Sequence, residues 1–443
     1  MSEVPPTTVR RLPRTVWLLA GVSLLNEISA QMVAPLIPIL LASVLAAGPV
    51  AIGLVEGMAD AVAAFVKVWS GRQADLRPRW RKPMVLLGYA LALAARPLIA
   101  LAGHWSTVAV LRATDRLGKG LRGAPRDAIL AAASPRDMRG RAYGLNRGMD
   151  YAGAVVGTLL ATAALAWTGL SIEQVILMSA LPGVAVLALL AALPASVPQA
   201  RWAATAAGET AAAATALASA GVTGAAAVRS GQGEADMTEV ACAGDPSSRR
   251  WAALPPALRQ LLLLIALFGL ARTSEGFILL RGLELGLSPV LLLLLWAWLA
   301  ALQSAVALAA APWTDRVSKA RLLPWHWASL ALGWVALAAA GGEPALWAAV
   351  TLFGVLSGIS EGVERALVSE RASALSAAPG ARRIEGTAFG WYHASGGVAA
   401  IGAGLTAGVL WQFGGAALAF GWAAAAALGC AIAFAVVERR RGA

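Results

Sequence analysis

The feature that most constrains the fold is a series of apolar segments, each about as long as a lipid bilayer is thick. A helix needs about 20 apolar residues to cross the hydrocarbon core. Hydrophobic residues make up 58% of the chain and charged residues only 14%, whereas soluble proteins are about 25% charged. The chain is therefore predicted to be an all-α membrane protein whose main surroundings are the lipid bilayer. Twelve segments are expected, near 15–45, 49–70, 83–102, 106–132, 141–167, 172–194, 257–281, 288–311, 322–340, 345–373, 385–411 and 415–437.

Lysine and arginine are concentrated in alternate loops. The loops at 72–82, 136–141 and 316–321 are basic, whereas those at 102–105 and 340–344 contain neither residue. Because cytoplasmic loops carry an excess of Lys and Arg, both termini are predicted to be cytoplasmic, which requires an even number of spans. The net charge of +12 does not indicate a nucleic-acid partner, because the basic residues lie in short loops rather than on one soluble face.

The chain divides into two similar halves. The string GRAYG at 140–144 matches GTAFG at 386–390, and at the same offset Asp115 meets Glu361. Two six-helix repeats are a signature of transporters. Between them lies an Ala/Gly/Ser/Thr-rich stretch that is typical of a flexible linker. The predicted parts are a cytoplasmic tail at 1–14, a six-helix bundle at 15–194, a flexible cytoplasmic linker at 195–256, a second six-helix bundle at 257–437 and a cytoplasmic tail at 438–443.

One apolar segment carries a stripe of charge, in the sequence RATDRLGKGLRGAPRD at 112–127. At about 100° per residue, its charged side chains fall within an arc of roughly 140° on a helix. A charge at membrane depth must face a bundle interior, a partner or a water-filled cavity. The chain is therefore interpreted as a scaffold that holds this stripe. Its charged members are Arg112, Asp115, Arg116, Lys119, Arg122, Arg126 and Asp127.

With these features, the chain resembles the major facilitator superfamily over both halves. The loop after the second helix is similar to that family's Gly-x-x-x-Asp motif followed by basic residues, which gates the cytoplasmic side. Arg112 is similar to the membrane arginine that the family associates with proton coupling. The resemblance assigns the gate motif to Gly71, Asp75, Arg81 and Lys82, and its second copy to Asp315 and Arg316, where Ala311 stands in place of the glycine.

Other strings are more specific and resemble a bacterial branch of this superfamily with largely uncharacterised members. They include NEISAQMVAPLIP at 26–38, DRLGKGLRGAPRDA at 115–128 and EGVERAL at 361–367. This resemblance implies a multi-pass protein of a bacterial cytoplasmic (inner) membrane, and it names no substrate. The implied fold is twelve transmembrane helices in two pseudo-symmetric six-helix bundles.

In this superfamily helices 1, 4, 7 and 10 line a central cavity, and the resemblance implies the same here. Charged residues on these helices and on helix 2 fall at similar depth, which suggests a site for a small-molecule substrate and protons. The alternative is that the acids and bases neutralise one another and only fix helix packing. Arg147 and Asp150 are expected to form a structural pair. The predicted cavity residues are Asn26, Glu27, Glu56, Asp60, Arg112, Asp115, Arg116, Lys119, Arg272, Glu275, Glu361 and Arg365.

The predicted function is proton-coupled secondary transport of a small solute by alternating access. Efflux is favoured over uptake because Gly148, Gly153 and Gly157 resemble the glycine motif of antiporters, although Thr158 stands where the proline of that motif belongs. The alternative is a non-transporting membrane sensor or interaction protein on the same fold. The sequence shows no nucleophile–base or metal-ligand constellation, so no enzyme activity, cofactor or metal site is expected. The protein is expected to be a monomer.

Overall fold

The computed structural model describes residues 12–134, 138–192, 251, 254–359, 363–376 and 385–442. Their secondary structure is helical, with no strand in these ranges. The predicted linker at 195–256 lies almost wholly outside the described residues, and Glu361 lies outside them as well.

The helices are labelled α1 to α12 in chain order. In the first half, α1 comprises Arg14–Val33, Leu36–Ile39 and the π-helical turn Leu40–Val44; α2 is Pro49–Leu76, α3 Arg81–Leu98, α4 Trp105–Ala133, α5 Arg139–Trp167, and α6 comprises Ile172–Met178 and Ala180–Ala191. In the second half, α7 comprises Pro256–Ala271 and Gly276–Glu284; α8 is Pro289–Arg316, α9 Lys319–Ala339, α10 comprises Glu343–Gly358 and Val363–Ser376, and α11 and α12 share Glu385–Gly442.

Ten helical stretches of the described residues are long and apolar enough to cross a membrane. Two physical reasons explain why this number is smaller than twelve. The helix α4 is long enough, but its stripe of charge makes it too polar to qualify. The helices α11 and α12 form one stretch that turns back at Gly415, whose φ of 68° suits a residue without a Cβ atom. The predicted twelve-helix, all-α fold is therefore confirmed.

Proline and serine residues explain where several helices begin and break. Proline occupies the first turn of α2, α7 and α8, where its missing N–H would have no helical partner. Ser288 caps α8, because its hydroxyl accepts a hydrogen bond from the Leu291 N–H. The helix α7 is interrupted at residues 272–275. In transporters, such discontinuous helices often carry the binding site.

The helices pack into two bundles, the N-bundle (α1–α6) and the C-bundle (α7–α12). In the N-bundle α1 packs on α5, and α4 packs on α2 and α3; in the C-bundle α8 packs on α10, and α9 on α12. The bundles meet where α2 packs on α11 and α5 on α8. Consecutive helices run in opposite directions, as the contacts of α2 and α3 with α4 illustrate. The C-terminal ends of the even-numbered helices and the N-terminal ends of the odd-numbered helices therefore share one membrane side, called here the basic side.

The bundles approach each other most closely away from the basic side. Gly53 of α2 and Gly404 of α11 are in backbone contact, so a Cβ atom at either residue would overlap the other backbone. Nearer the basic side, a Cβ atom at Gly390 would lie 4.0 Å from Val68, which is ordinary contact. Small residues allow helix backbones to approach closely in membranes. The closest contact between α2 and α11 therefore lies on the side opposite the basic side.

Candidate functional site

A buried ion network joins α2, α3 and α4. Arg96 Nε lies 2.9 Å from Asp115 Oδ1, and Arg112 Nη1 lies 3.5 Å from Asp115 Oδ2. Arg112 Nη2 also lies 3.2 Å from Glu56 Oε2. All four residues are less than 9% exposed. Two acids thus balance two guanidinium groups at membrane depth, where an unbalanced charge would be costly.

The sequence analysis missed Arg96, which organises this network from α3. Its Nη1 donates at 3.2 Å to both the backbone carbonyl and the side-chain oxygen of Asn26 on α1. Arg96 is 3% exposed. It is a single charge within the apolar run LALAARPLIA. An isolated charge in a membrane segment is the sequence feature that could have indicated its role.

The carboxylate of Glu27 has different surroundings. Gln31 Nε2 donates to Glu27 Oε1 at 3.2 Å, and Trp296 Nε1 donates to Gln31 Oε1 at 3.3 Å. Glu27 is half-buried, and it has no ion pair within 4.0 Å among the described residues. Since Trp296 lies on α8, a hydrogen-bond chain connects a membrane carboxylate of the N-bundle to the C-bundle.

The stripe of α4 continues toward the basic side with different partners. Arg116 Nε lies 3.8 Å from Asp60 Oδ1, and the guanidinium of Arg122 stacks on the Tyr89 ring at 4.6 Å. Lys119 is exposed. Cation–π contacts of this kind are strongest when water is excluded. In this part of the stripe, Arg116 is thus close to an acid, Arg122 stacks on an aromatic ring and Lys119 is exposed.

The predicted pair of Arg147 and Asp150 on α5 is not formed within 4.0 Å. Arg126 of α4 lies 3.9 Å from Asp150 instead, and its Nη1 donates to Ser23 Oγ at 2.9 Å. Arg147 is exposed. Asp150 therefore pairs with α4 across the bundle. Arg126 also lies 3.3 Å from the carboxylate of Asp127.

The C-bundle holds a smaller polar group around Glu364 of α10, which the sequence analysis also missed. Trp327 Nε1 donates to Glu364 Oε1 at 3.1 Å, and the Tyr392 hydroxyl donates to Oε2 at 3.5 Å. Arg272, at the break in α7, lies 4.0 Å from Oε2 and keeps 64% of its side chain exposed. Glu364 lies three residues from the predicted Glu361, so it falls within one helical turn of that position.

Glu275, another predicted C-bundle residue, has different partners from Glu364. Gln303 Nε2 donates to Glu275 Oε1 at 2.9 Å and to Ser357 Oγ at 3.1 Å, which joins α7, α8 and α10. Arg365 is exposed. Glu361 lies outside the described residues, so its expected cavity position stays a prediction.

The predicted gate motif lies at the basic-side ends of α2 and α3. A Cβ atom at Gly71 would meet the Ala124 side chain at 3.4 Å, Asp75 is exposed, and Arg81 Nε donates to the Ala74 carbonyl at 2.9 Å. Lys82 also has an interaction partner. In the second copy Arg316 is exposed at the end of α8, and Asp315 belongs to the same helix. The gating role stays a prediction.

The arrangement is suited to the exchange of ion-pair partners rather than to covalent catalysis. Among the described residues, no group of three or more His, Cys, Asp or Glu side chains could hold a metal ion. The N-bundle instead presents paired charges at mid-membrane and an unpaired carboxylate next to the C-bundle. The fold and this site define a multi-pass membrane protein with two helical bundles and ionisable groups between them.

Comparison with known proteins agrees with this class. A family model described as Major Facilitator Superfamily matches residues 19–384. A Methanocaldococcus jannaschii protein described as an uncharacterized MFS-type transporter is 35% identical over 174 residues, which cover 39% of this chain and 43% of that protein. The match thus spans less than half of this curated relative. The chain belongs to the major facilitator superfamily.

Solved structures show the same fold. A POT family transporter in complex with 5-aminolevulinic acid has a TM-score of 0.70 and 12% identity, covering 99% of this chain and 98% of that one. A D-xylose–proton symporter has a TM-score of 0.67 and 14% identity, covering 95% and 96%. At this identity the similarity shows the fold alone.

Proposed function

We propose that the protein is a secondary active transporter that moves a small solute by alternating access and couples this movement to protons. The supporting observation is the buried network of Arg96, Arg112, Asp115 and Glu56. A scaffold could be packed more cheaply with apolar residues, because replacing a buried ion pair with them is often neutral or stabilising. A charged network inside the N-bundle is useful to a transporter when its partners can change between states.

Glu27 is the residue that we propose for proton coupling. Its half-buried carboxylate accepts a hydrogen bond from the neutral amide of Gln31 and has no ion pair within 4.0 Å among the described residues. Ionisable residues inside a membrane commonly belong to proton relays. The bond between Gln31 and Trp296 links this carboxylate to the C-bundle.

The direction and orientation are further parts of the proposal. We propose efflux, supported by Gly153 and Gly157 of α5, which pack against Ile28 of α1 as a glycine-rich contact helix would. We also propose that the basic side faces the cytoplasm of a bacterium, in agreement with the positive-inside rule, and that the protein acts as a monomer.

A flux experiment tests transport and coupling together. The purified protein is reconstituted in liposomes that contain a pH-sensitive dye and is challenged in turn with succinate, glucose 6-phosphate, alanine and 1,4-diaminobutane. We expect at least one compound to move protons. Glu27→Gln should abolish proton movement but retain counterflow of the same compound, and Glu343→Gln, an exposed acid at the start of α10, is the control.

Two results would contradict the proposal. Proton movement at the wild-type rate in Glu27→Gln would place the coupling group elsewhere. Folded, reconstituted protein that moves none of the compounds would favour the sensor interpretation.

Orientation has its own measurement. Single cysteines at Ser2 and Arg440 should be shielded from an impermeant thiol reagent in intact cells, and a cysteine at Gly342 should be labelled. The opposite pattern would invert the orientation.

A further inference from the structure

Four cationic side chains lie at similar depth between the bundles and have no carboxylate within 4.0 Å among the described residues. Each is exposed, and none has an ion pair within 4.0 Å among the described residues. They lie eight to fourteen residues from the basic-side ends of their helices, which corresponds to about 12–21 Å along the helix axis. The four are Lys67 of α2, Lys119 of α4, Arg147 of α5 and Arg365 of α10.

Helix geometry places Lys67 between the bundles rather than toward lipid. Ala63 and Ser70 of α2 contact Gly120 of α4, and Gly57 and Ala64 contact α11. Lys67 lies between these two contact faces, on the side of α2 that also carries Asp60, seven residues earlier. Electrostatic interactions agree, because they connect Lys67 to Arg365 of the C-bundle and to Asp127, Arg147 and Arg126 of the N-bundle.

Lys119 faces the same space from α4. Arg116, Lys119, Gly123 and Arg126 follow one another at spacings of three and four residues, so they lie on one face of the helix. Lys119 also interacts electrostatically with Glu27 of α1. A Cβ atom at Gly123 would have nothing within 4 Å, so this face borders open space.

The acids of α1–α5 near this space are already occupied. Five carboxylates each have an arginine within 4.0 Å, namely Glu56, Asp60, Asp115, Asp127 and Asp150. Glu27 is the remaining carboxylate at this depth among the described residues of these helices. Among the described residues of α1–α5 at this depth, eight Lys and Arg side chains stand against six carboxylates, so the N-bundle side of this space carries an excess of positive charge.

We propose that this space binds an anionic solute with two or more negative charges, held by Lys67, Lys119, Arg147 and Arg365 from both bundles. The inference rests on the proposed transport function and names its substrate class. A dianion would neutralise cations that face one another, and a ligand that contacts both bundles is one that their movement can carry. Carboxylates, phosphates and sulfonates share this chemistry.

A charge-sensing cysteine tests the sign of the site without knowledge of the natural substrate. In a background with Cys242→Ala and Cys430→Ala, Gly123→Cys is modified with an anionic sulfonatoethyl or a cationic trimethylammonioethyl methanethiosulfonate. We expect the anionic-to-cationic rate ratio to exceed that of a free thiol by about tenfold, as the Coulomb attraction of several partly screened charges implies. Lys67→Gln and Arg147→Gln should each lower it, and Arg321→Gln, at the basic end of α9, should not.

Ligand protection tests occupancy. At constant ionic strength, pyrophosphate or succinate should slow the modification of Gly123→Cys several-fold, whereas succinamide and 1,4-diaminobutane should not. The protection should be lost in the combined Lys67→Gln, Lys119→Gln variant. Phosphatidylglycerol added to the detergent micelles separates a lipid headgroup from a soluble anion.

Several outcomes would overturn the inference. They are a rate ratio at or below that of a free thiol, protection by diaminobutane, no protection by either anion, and protection by phosphatidylglycerol alone. The failure of the transport proposal is distinguishable, because it appears as an absence of flux, whereas these readouts measure charge and binding in protein that need not transport.

Discussion

The N-bundle and the C-bundle have the same order of helices but bury different polar groups. Asp115 in the N-bundle is held between two guanidinium groups. Glu364 in the C-bundle instead accepts hydrogen bonds from the indole of Trp327 and the hydroxyl of Tyr392. The surroundings of Glu364 are aromatic, since Phe268 stacks on Trp327 at a centroid distance of 4.5 Å. Internal symmetry of the backbone has not preserved the polar contacts.

This difference assigns different tasks to the two bundles. A network of paired charges can exchange partners when the bundles move, whereas neutral donors around an acid hold one arrangement. We therefore expect the N-bundle to be sensitive to loss of a single charge and the C-bundle to tolerate it. Four variants follow, in order of decreasing expected effect.

Asp115→Asn should have the largest effect on stability. It weakens two ion pairs and leaves Arg96 and Arg112 with one acid, Glu56, in a membrane. Removal of one partner from a buried ion pair typically costs about 3–5 kcal/mol. The expected result is a sharply lowered yield of monodisperse protein and a lower thermal midpoint. The matched C-bundle variant is Glu438→Gln, whose 2.6 Å pair with Arg371 is partly exposed and should cost at most about 1 kcal/mol. Equal losses of stability in the two variants would show that the bundles do not differ in their dependence on buried charge.

The double variant Glu56→Gln, Arg112→Gln separates function from packing. It removes an acid and a base together, so no uncompensated charge is created, and Asp115 keeps Arg96 at 2.9 Å. We expect near-normal expression and thermal stability but no proton-driven flux in liposomes. Wild-type flux with unchanged pH dependence would reduce the network to a structural role.

Gly404→Val tests the seal between the bundles. A side chain there would overlap the backbone of Gly53, so α2 and α11 would have to separate on the side opposite the basic side. Expression should be retained, because the contacts within each bundle are unchanged, and flux should fall by about tenfold or more, as small residues are needed for such backbone contact. Gly396→Ala is the control, since a Cβ atom there meets nothing within 4 Å. Unchanged flux in Gly404→Val would show that the contact is dispensable.

Glu364→Gln should have the smallest effect. The amide oxygen can still accept the hydrogen bond from Trp327, and the lost ion pair is long, at 4.0 Å, to an Arg272 side chain that is 64% exposed. We expect a loss of stability below about 1 kcal/mol, measured by thermal unfolding. A loss as large as that of Asp115→Asn would show that the C-bundle also depends on buried charge.

The sequence predicted the fold well because lipid allows few alternatives. Apolar length and the distribution of Lys and Arg determine where α2 or α8 begins, to within a few residues. The partners in the site were harder to predict. The spacing of Arg147 and Asp150 suggested a local or interhelical structural pair, but the packing of α5 on the rest of the bundle brings Asp150 within 3.9 Å of Arg126.

Arg96 and Glu364 show why other site residues were missed. A lone arginine near Pro97 gives no pattern by itself, and its role depends on contact with Asn26 and Asp115 from two other helices. Glu364 depends on Trp327, which lies 37 residues away in the chain. Such contacts arise from tertiary packing, and helical periodicity within one segment carries no record of them.

The polarity of α4 also has a consequence for biogenesis. Insertion of a helix through the translocon costs about 2.5–3.5 kcal/mol for each Asp, Lys or Arg near its centre, and α4 carries Arg112, Asp115, Arg116 and Lys119 there. Asp115 finds Arg96 on α3, the helix synthesised immediately before it. We expect α4 to enter the bilayer only together with α3, as a helical hairpin, so that the ribosome-bound chain partitions into lipid as a pre-paired unit.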